Sequence, residues 1–249
     1  MNISKIVFPL IIAAGMSACG GGGGGDGSNP ASGAAEGLWQ GTTNTSRTIA
    51  GLVLDDGTYW FIYSSAGNSA VIAGVVQGNS SSSNGSFSSS NGKDFNLEGL
   101  GVNNFTLAGT YTAKISLGGT LTYSPSGTTT FTSSYDTDYD LTPSLAAIAG
   151  TYSGSAATSG GTESATVTVS GAGAISGSGA SGCSFTGGAT PRSKGNVYNI
   201  SVTFGGGVCA NGTNTVAGVA HFDAATKQLI SAALNSARTD GFIYVGAKP

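Results

Sequence analysis

Charge is scarce in this chain. Asp, Glu, Lys and Arg make up 8% of its 249 residues, against roughly 25% in an ordinary soluble domain. The nine cations are scattered singly and the net charge is −3, so no basic face exists to neutralise phosphates. Nucleic acid is therefore excluded as a partner, and so is recruitment to an anionic membrane surface by charge alone. Lys, Glu, Leu and Arg, the good helix formers, are thin throughout, which argues against any sizeable helical domain. Histidine occurs once, at His221, in a strand-like run between Ala220 and Phe222. Triad chemistry would need that ring beside a nucleophile and an orienting acid, and no nucleophile elbow sits in a strand–turn–helix context. His221 reads as structural. No motif calls for a cofactor.

Glycine, serine and threonine fill the space that charge leaves. Together with Val, Ile, Tyr and Phe in short runs, they describe pleated surfaces punctuated by turns. Strand-length runs recur every 8 to 12 residues from Gly37 onward. After 37–41 come 47–54, 58–64, 70–77, 83–87, 94–97, 105–114, 119–123 and 128–135. Asp55-Asp56-Gly57 separates two of them as a hairpin signal. Tyr59, Phe61 and Tyr63 alternate with Trp60 and Ile62, so both faces of that strand are at least partly buried. The serine tracts 80–85 and 88–92 read as an exposed, flexible hairpin region. Trp39 and Trp60 read as core anchors.

A second set follows at 150–155, 165–170, 173–178, 183–186, 197–204, 216–223, 228–233 and 242–245. Pro143 marks the boundary by pushing its neighbour out of helical geometry, with room for one helical turn over 145–148. Gly37-Leu38-Trp39-Gln40-Gly41 and Gly150-Thr151-Tyr152-Ser153-Gly154 share a Gly-x-aromatic-x-Gly frame. An internal repeat of about 110 residues follows from that frame. The expected fold is all-β, with two tandem antiparallel eight-stranded barrel-like or sandwich domains over 36–141 and 145–249. Closing each sheet would remove the unpaired edges that template aggregation.

The start of the chain reads as an address. Lys5 precedes a short apolar stretch, 6–14, and then Met16-Ser17-Ala18-Cys19, the pattern of a cleaved secretory signal over 1–18. Residues 19–35 form a tether opened by six consecutive glycines after Cys19. A flexible segment of that length reaches roughly 20–25 Å. With Cys19 set aside, Cys183 and Cys209 are left in an exported chain, where disulfides persist. A metal centre there would lack further ligands nearby, so the pair reads as a bridge. Asp136, Asp138 and Asp140 alternate, and in a strand would line one face as candidate calcium ligands. The competing reading is a solvated edge whose charges discourage pairing. Glu98, Glu163 and Asp240 lie near loop edges, and none is marked as half of an acid pair for glycoside hydrolysis.

Met16 to Cys19 resembles the lipobox of bacterial lipoproteins, which implies signal removal and acylation of Cys19, palmitate among its chains. Gly20 after the cysteine is compatible with outer-membrane sorting in that Gram-negative family. Tether plus β-rich body loosely resembles surface lipoproteins of the transferrin-binding-protein B and factor-H-binding types, which also carry eight-stranded barrels. Gly37 to Trp39 is similar to the opening strand of lipocalins. The expectation is a non-catalytic, lipid-anchored outer-membrane binding or interaction module, facing the surface or the periplasm, with a protein or surface partner. An exposed apolar patch on a barrel wall would favour that reading. The alternative is a lipocalin-like carrier of a small apolar ligand, which requires an open apolar lumen.

Overall fold

The computed structural model describes residues 35–125 and 127–249. The signal segment, Cys19 and the glycine tether lie outside the described residues. The remainder is two closed antiparallel eight-stranded barrels with almost no helix.

The first barrel is built from nine strands: β1 Gly37–Thr43, β2 Thr48–Val53, β3 Thr58–Ser65, β4 Asn68–Asn79, β5 Ser81–Ser83, β6 Ser86–Asn96, β7 Gly101–Thr112, β8 Ser116–Tyr123 and β9 Gly127–Asp136. The ring runs in sequence order and closes twice. Strand β1 pairs with β9 through Trp39 opposite Tyr135, and β4 pairs with β6 through Val76 opposite Asp94. Strand β5 adds to the first half of β6, beyond the reach of β4. Here the serine tracts depart from expectation. Residues 88–92 lie inside β6, which carries a register shift between Ser89 and Gly92, so that 86–87 and 94–96 of the two expected runs fall in one bulged strand while Ser83 ends β5. Ser80, Ser82 and Ser89 are buried. Their hydroxyls meet the Gly57 carbonyl, the Ala35 amide and the Tyr59 phenol respectively. A serine tract can occupy a barrel wall because each inward hydroxyl finds a partner. Composition alone does not register that.

The second barrel comprises β10 Gly150–Thr158, β11 Gly161–Val169, β12 Ala174–Gly179, β13 Ser184–Pro191, β14 Tyr198–Phe204, β15 Thr215–Asp223, β16 Gln228–Leu234 and β17 Gly241–Ala247, each paired with the next and β17 with β10. A 3-10 turn, Thr137–Asp140, and one helical turn, α1 Leu145–Ile148, join the barrels. Ser144 caps α1 through its hydroxyl to the Ala147 amide at 3.2 Å, the local reason the turn starts there.

The two Gly-x-aromatic-x-Gly frames occupy the same place in each barrel. Trp39 and Tyr152 are both fully buried. Each bonds the carbonyl four residues upstream, Trp39 Nε1–H to Ala35 at 3.1 Å and the Tyr152 hydroxyl to Ile148 at 2.8 Å. Gly41 and Gly154 follow where a Cβ would drive into the backbone of the closing strand. The aromatic plugs the end at which the chain enters, and the second glycine lets the last strand approach.

The barrels share a third apolar core. Trp60, Leu38, Leu52, Val75 and Phe95 from outer faces of the first barrel pack with Val219, Ala232, Leu234 and Ile243 from the second. Strand β3 thus divides its side chains, with Tyr59, Phe61 and Tyr63 inside the first barrel and Trp60 in this shared core. Trp60 anchors an interface rather than a barrel interior. At the rim, Arg192 Nη2 sits 2.6 Å from Asp55 and 3.4 Å from Asp56. The Arg238 guanidinium donates to the carbonyls of Gln77 and Asn91 at 2.8 and 2.9 Å.

Candidate ligand-binding lumen

The interiors of the two barrels differ. In the second, Tyr152, Tyr198, Tyr244, Phe204, Phe222 and the valines of β11 and β14 form a packed core. Helix α1 lies at one end, where Ile148 is buried and Leu145 packs on the core. At the other end Cys183 and Cys209 form a disulfide, with Cα atoms 4.7 Å apart, beside Phe185 and Phe242.

The first barrel is plugged at one end only. Trp39, Val53, Phe87 and Leu117 fill that end. Toward the opposite end, ringed by the turns after β1, β3, β6 and β8, a cavity of about 400 Å³ opens. Ile49, Phe61, Val76, Phe105, Leu107, Leu121 and Phe131 line its body, and Thr43, Thr45, Arg47, Asn96, Leu100 and Asn103 line its mouth. Several large rings of this barrel lie close against glycines of the wall. Gly74 sits under the Tyr63 phenol, Gly78 under Tyr59 and Gly92 under Phe105, each so close that a Cβ would overlap the ring.

A carboxylate stands on the cavity wall among tyrosine hydroxyls. Asp94 is buried, accepting from the Tyr63 hydroxyl at 2.7 Å and from the Tyr123 hydroxyl at 3.0 Å. Burial is the main reason its carboxyl is pushed above the usual carboxylate range; the two phenol hydrogen bonds and Arg47 oppose the shift. Burial, with Asp94 beside them, also raises both phenols well above an ordinary tyrosine. They therefore stay protonated and donate. Asn96 donates to Tyr63 at 3.1 Å, and its side-chain oxygen accepts from the Glu98 and Leu100 amides, which fixes the turn at the mouth. Arg47 stacks 5.4 Å from the Tyr63 ring centroid and pairs with Glu98 at 2.7 Å.

The residues singled out from the sequence lie elsewhere. His221 is buried, its Nδ1 3.0 Å from the Asn196 carbonyl, against the inter-barrel core. Asp136, Asp138 and Asp140 do not share a strand face, because the chain turns into a 3-10 helix at Thr137. Asp136 accepts from the Asp138 amide and from Gln40, while Asp140 pairs with Lys114 and accepts from Tyr135. The three-carboxylate calcium candidate is thereby corrected: the carboxylates point to different partners. Among the described residues no group of three His, Cys, Asp or Glu side chains is placed to hold a metal ion. Glu163 accepts from the Ser181 amide and Asp240 from the Gly241 amide, so both serve turns. Asp94 and Arg47 were not singled out by sequence. An acid next to Phe95 inside a strand is a signal, but the alternation cannot tell which face looks into a lumen.

No known family profile and no curated sequence matches the chain. Solved structures resemble it weakly. A candidate outer-membrane protein from Bacteroides fragilis is 16% identical, covering 86% of this chain and 96% of its own, with a TM-score of 0.28. A transferrin binding protein B mutant from Haemophilus parasuis is 10% identical over 82% of this chain, with a TM-score of 0.30. This chain spans about half of that one, 51%. A Nostoc punctiforme protein of unknown function is 13% identical over 85% of this chain, at a TM-score of 0.25. Likeness at this level carries no argument about function.

Proposed function

We propose that this chain is a non-catalytic, lipid-anchored binding module of the outer envelope whose first barrel holds a small, mainly apolar ligand. The observation that carries the reading is the one-ended lumen. Its volume of about 400 Å³ falls within the 300–1,000 Å³ range common to small-molecule sites, and its lining pairs apolar walls with a few placed polar groups. The barrel wall that would otherwise be an apolar docking patch is covered by the second barrel. Among the described residues, the large apolar side chains still exposed lie on both barrels and the segment between them, at Val71, Leu100, Val102, Ile115, Leu141 and Val208. This favours the carrier over the protein-docking alternative. The lipobox at Cys19 supports the anchor, and Ala35 lies against Trp39 at the plugged end, opposite the mouth.

Binding of the neutral fluorescent reporter N-phenyl-1-naphthylamine tests the reading. Saturable binding at one site per chain is expected, lost in Leu121→Trp, whose added indole would occupy the lumen. Absence of binding to the folded wild type overturns it. Acylation is tested by mass spectrometry of Cys19→Ala against wild type, and orientation by protease access to a C-terminal tag on intact cells.

A further inference from the structure

We infer that the ligand carries a protonated amine, which pairs with Asp94 while an apolar body lies along the lumen. This rests on the lumen being a binding site.

Asp94 faces the cavity from β6, opposite Val76 of β4. A carboxylate offers about four lone-pair sites. The hydrogen bonds from Tyr63 and Tyr123 take one on each oxygen, which leaves acceptor capacity toward the lumen. Among the described residues no cation lies within ion-pair distance of Asp94, and Arg47 acts on its charge only from farther off. The cation nearest in function, Arg47, is already engaged. Its Nη2 pairs with Glu98 at 2.7 Å, its Nη1 donates to the Ser64 carbonyl at 2.9 Å, and its plane stacks on Tyr63. Arg47 and Glu98 are paired with each other, so an ionised Asp94 would be the one charge on the lumen wall without an ion-pair partner.

A buried carboxylate without a partner is unfavourable, and a bound cation or a proton relieves it. A ligand ammonium would also meet ring faces, with Tyr63, Tyr123 and Phe105 lining the same region and the last two 5.5 Å apart. Aromatic faces attract cations. A ligand carboxylate at the same depth would meet Asp94 directly and be rejected. A neutral alcohol could bond to Asp94 but would leave its charge uncompensated. The predicted order is amine, then alcohol, then carboxylate.

The full-length protein loaded with N-phenyl-1-naphthylamine is titrated at neutral pH with decylamine, 1-decanol and decanoate, each below its micelle concentration. Decylamine is expected to displace the reporter at least about tenfold more effectively than decanol, the scale of a hydrogen bond to a charged group. Decanoate is expected to be weakest. In Asp94→Asn the preference for the amine over the alcohol should collapse, read as the ratio of the two displacements within that variant. Equal displacement by amine and alcohol in the wild type overturns the inference and leaves the lumen reading intact. So does an amine preference that survives in a reporter-binding Asp94→Asn variant. Should the reporter fail to bind the folded wild type, the lumen reading falls and this inference falls with it. If the variant does not fold, the wild-type ranking decides alone.

Discussion

Replacing Trp60 with alanine should uncouple the two barrels. The indole is 8% exposed and packs in the shared core with residues of both. A tryptophan buries roughly 200 Å², which at about 25 cal/mol per Å² is about 5 kcal/mol. Residual burial in the unfolded chain reduces this by 10–40%, to about 3–4 kcal/mol, in line with measured costs of about 3–5 kcal/mol for Trp→Ala in cores. Each barrel keeps its own interior cluster, so the loss should fall on their contact. Calorimetry is expected to show a lower first transition, with the second barrel unfolding separately. The cut rate at 142–144, between the 3-10 turn and α1, should rise under limited proteolysis. Because β3 carries Trp60 on one face and Tyr59, Phe61 and Tyr63 on the other, reporter affinity should also fall. A single transition displaced by less than about 1 kcal/mol would refute the reasoning, since it would mean the indole is not holding the interface.

Gly74→Ala places a Cβ 2.5 Å from Tyr63 Cζ and from the Phe95 carbonyl oxygen; overpacking of this kind costs about 1–3 kcal/mol, and reporter affinity should change with it, as read by urea unfolding and titration. Removing the Cys183–Cys209 bridge with a double serine substitution opens a loop of sequence separation 26, worth about 3 kcal/mol in the chain-entropy view; urea unfolding should show that loss in the second barrel while reporter binding to the first persists. Burial raises the Asp94 carboxyl, so between that raised value and the ordinary value of about 3.9 the folded state holds more protons than the unfolded one. Its penalty is full above the raised value and fades as pH falls through it. Asp94→Asn should therefore raise Tm near pH 8, with the gain over wild type shrinking to nothing near pH 4. Of the groups facing Asp94, Tyr63, Tyr123 and Arg47 stay protonated across this range in both proteins, and hydrogen bonding from Arg47 holds the Glu98 carboxyl below the usual range. A gain that does not vary with pH would contradict it.

Strand positions, the two eight-stranded units and the role of the Asp55-Asp56-Gly57 hairpin were legible because β-branched and aromatic runs stand out against glycine and serine. Residues 145–148 were legible as a helical turn for the same local reasons, a capping serine after a proline. What was not legible depends on which face looks where. The alternation in β3 showed two buried faces but not that one lines a cavity and the other a second barrel. The serine tracts looked exposed because a hydroxyl satisfied by Gly57 or Ala35 has the same composition as one satisfied by water. Asp136, Asp138 and Asp140 failed as a strand face because a 3-10 turn after β9 breaks the period of two. An open lumen in one barrel and a filled one in the other follow from volumes. In the second, Tyr152, Tyr198, Tyr244, Phe204 and Phe222 fill the interior and Ile148 of α1 is buried against them. Asp94 was invisible for that reason: its meaning depends on the cavity it faces.

Methyl NMR of the protein, labelled at Ile, Leu and Val, tests the lumen most directly. Addition of N-phenyl-1-naphthylamine should shift Ile49, Val76, Leu107 and Leu121 and leave Val167, Val202 and Val216 of the second barrel unmoved. Shifts confined to the inter-barrel residues or to the exposed Val208, with the lumen methyls still, would contradict the account.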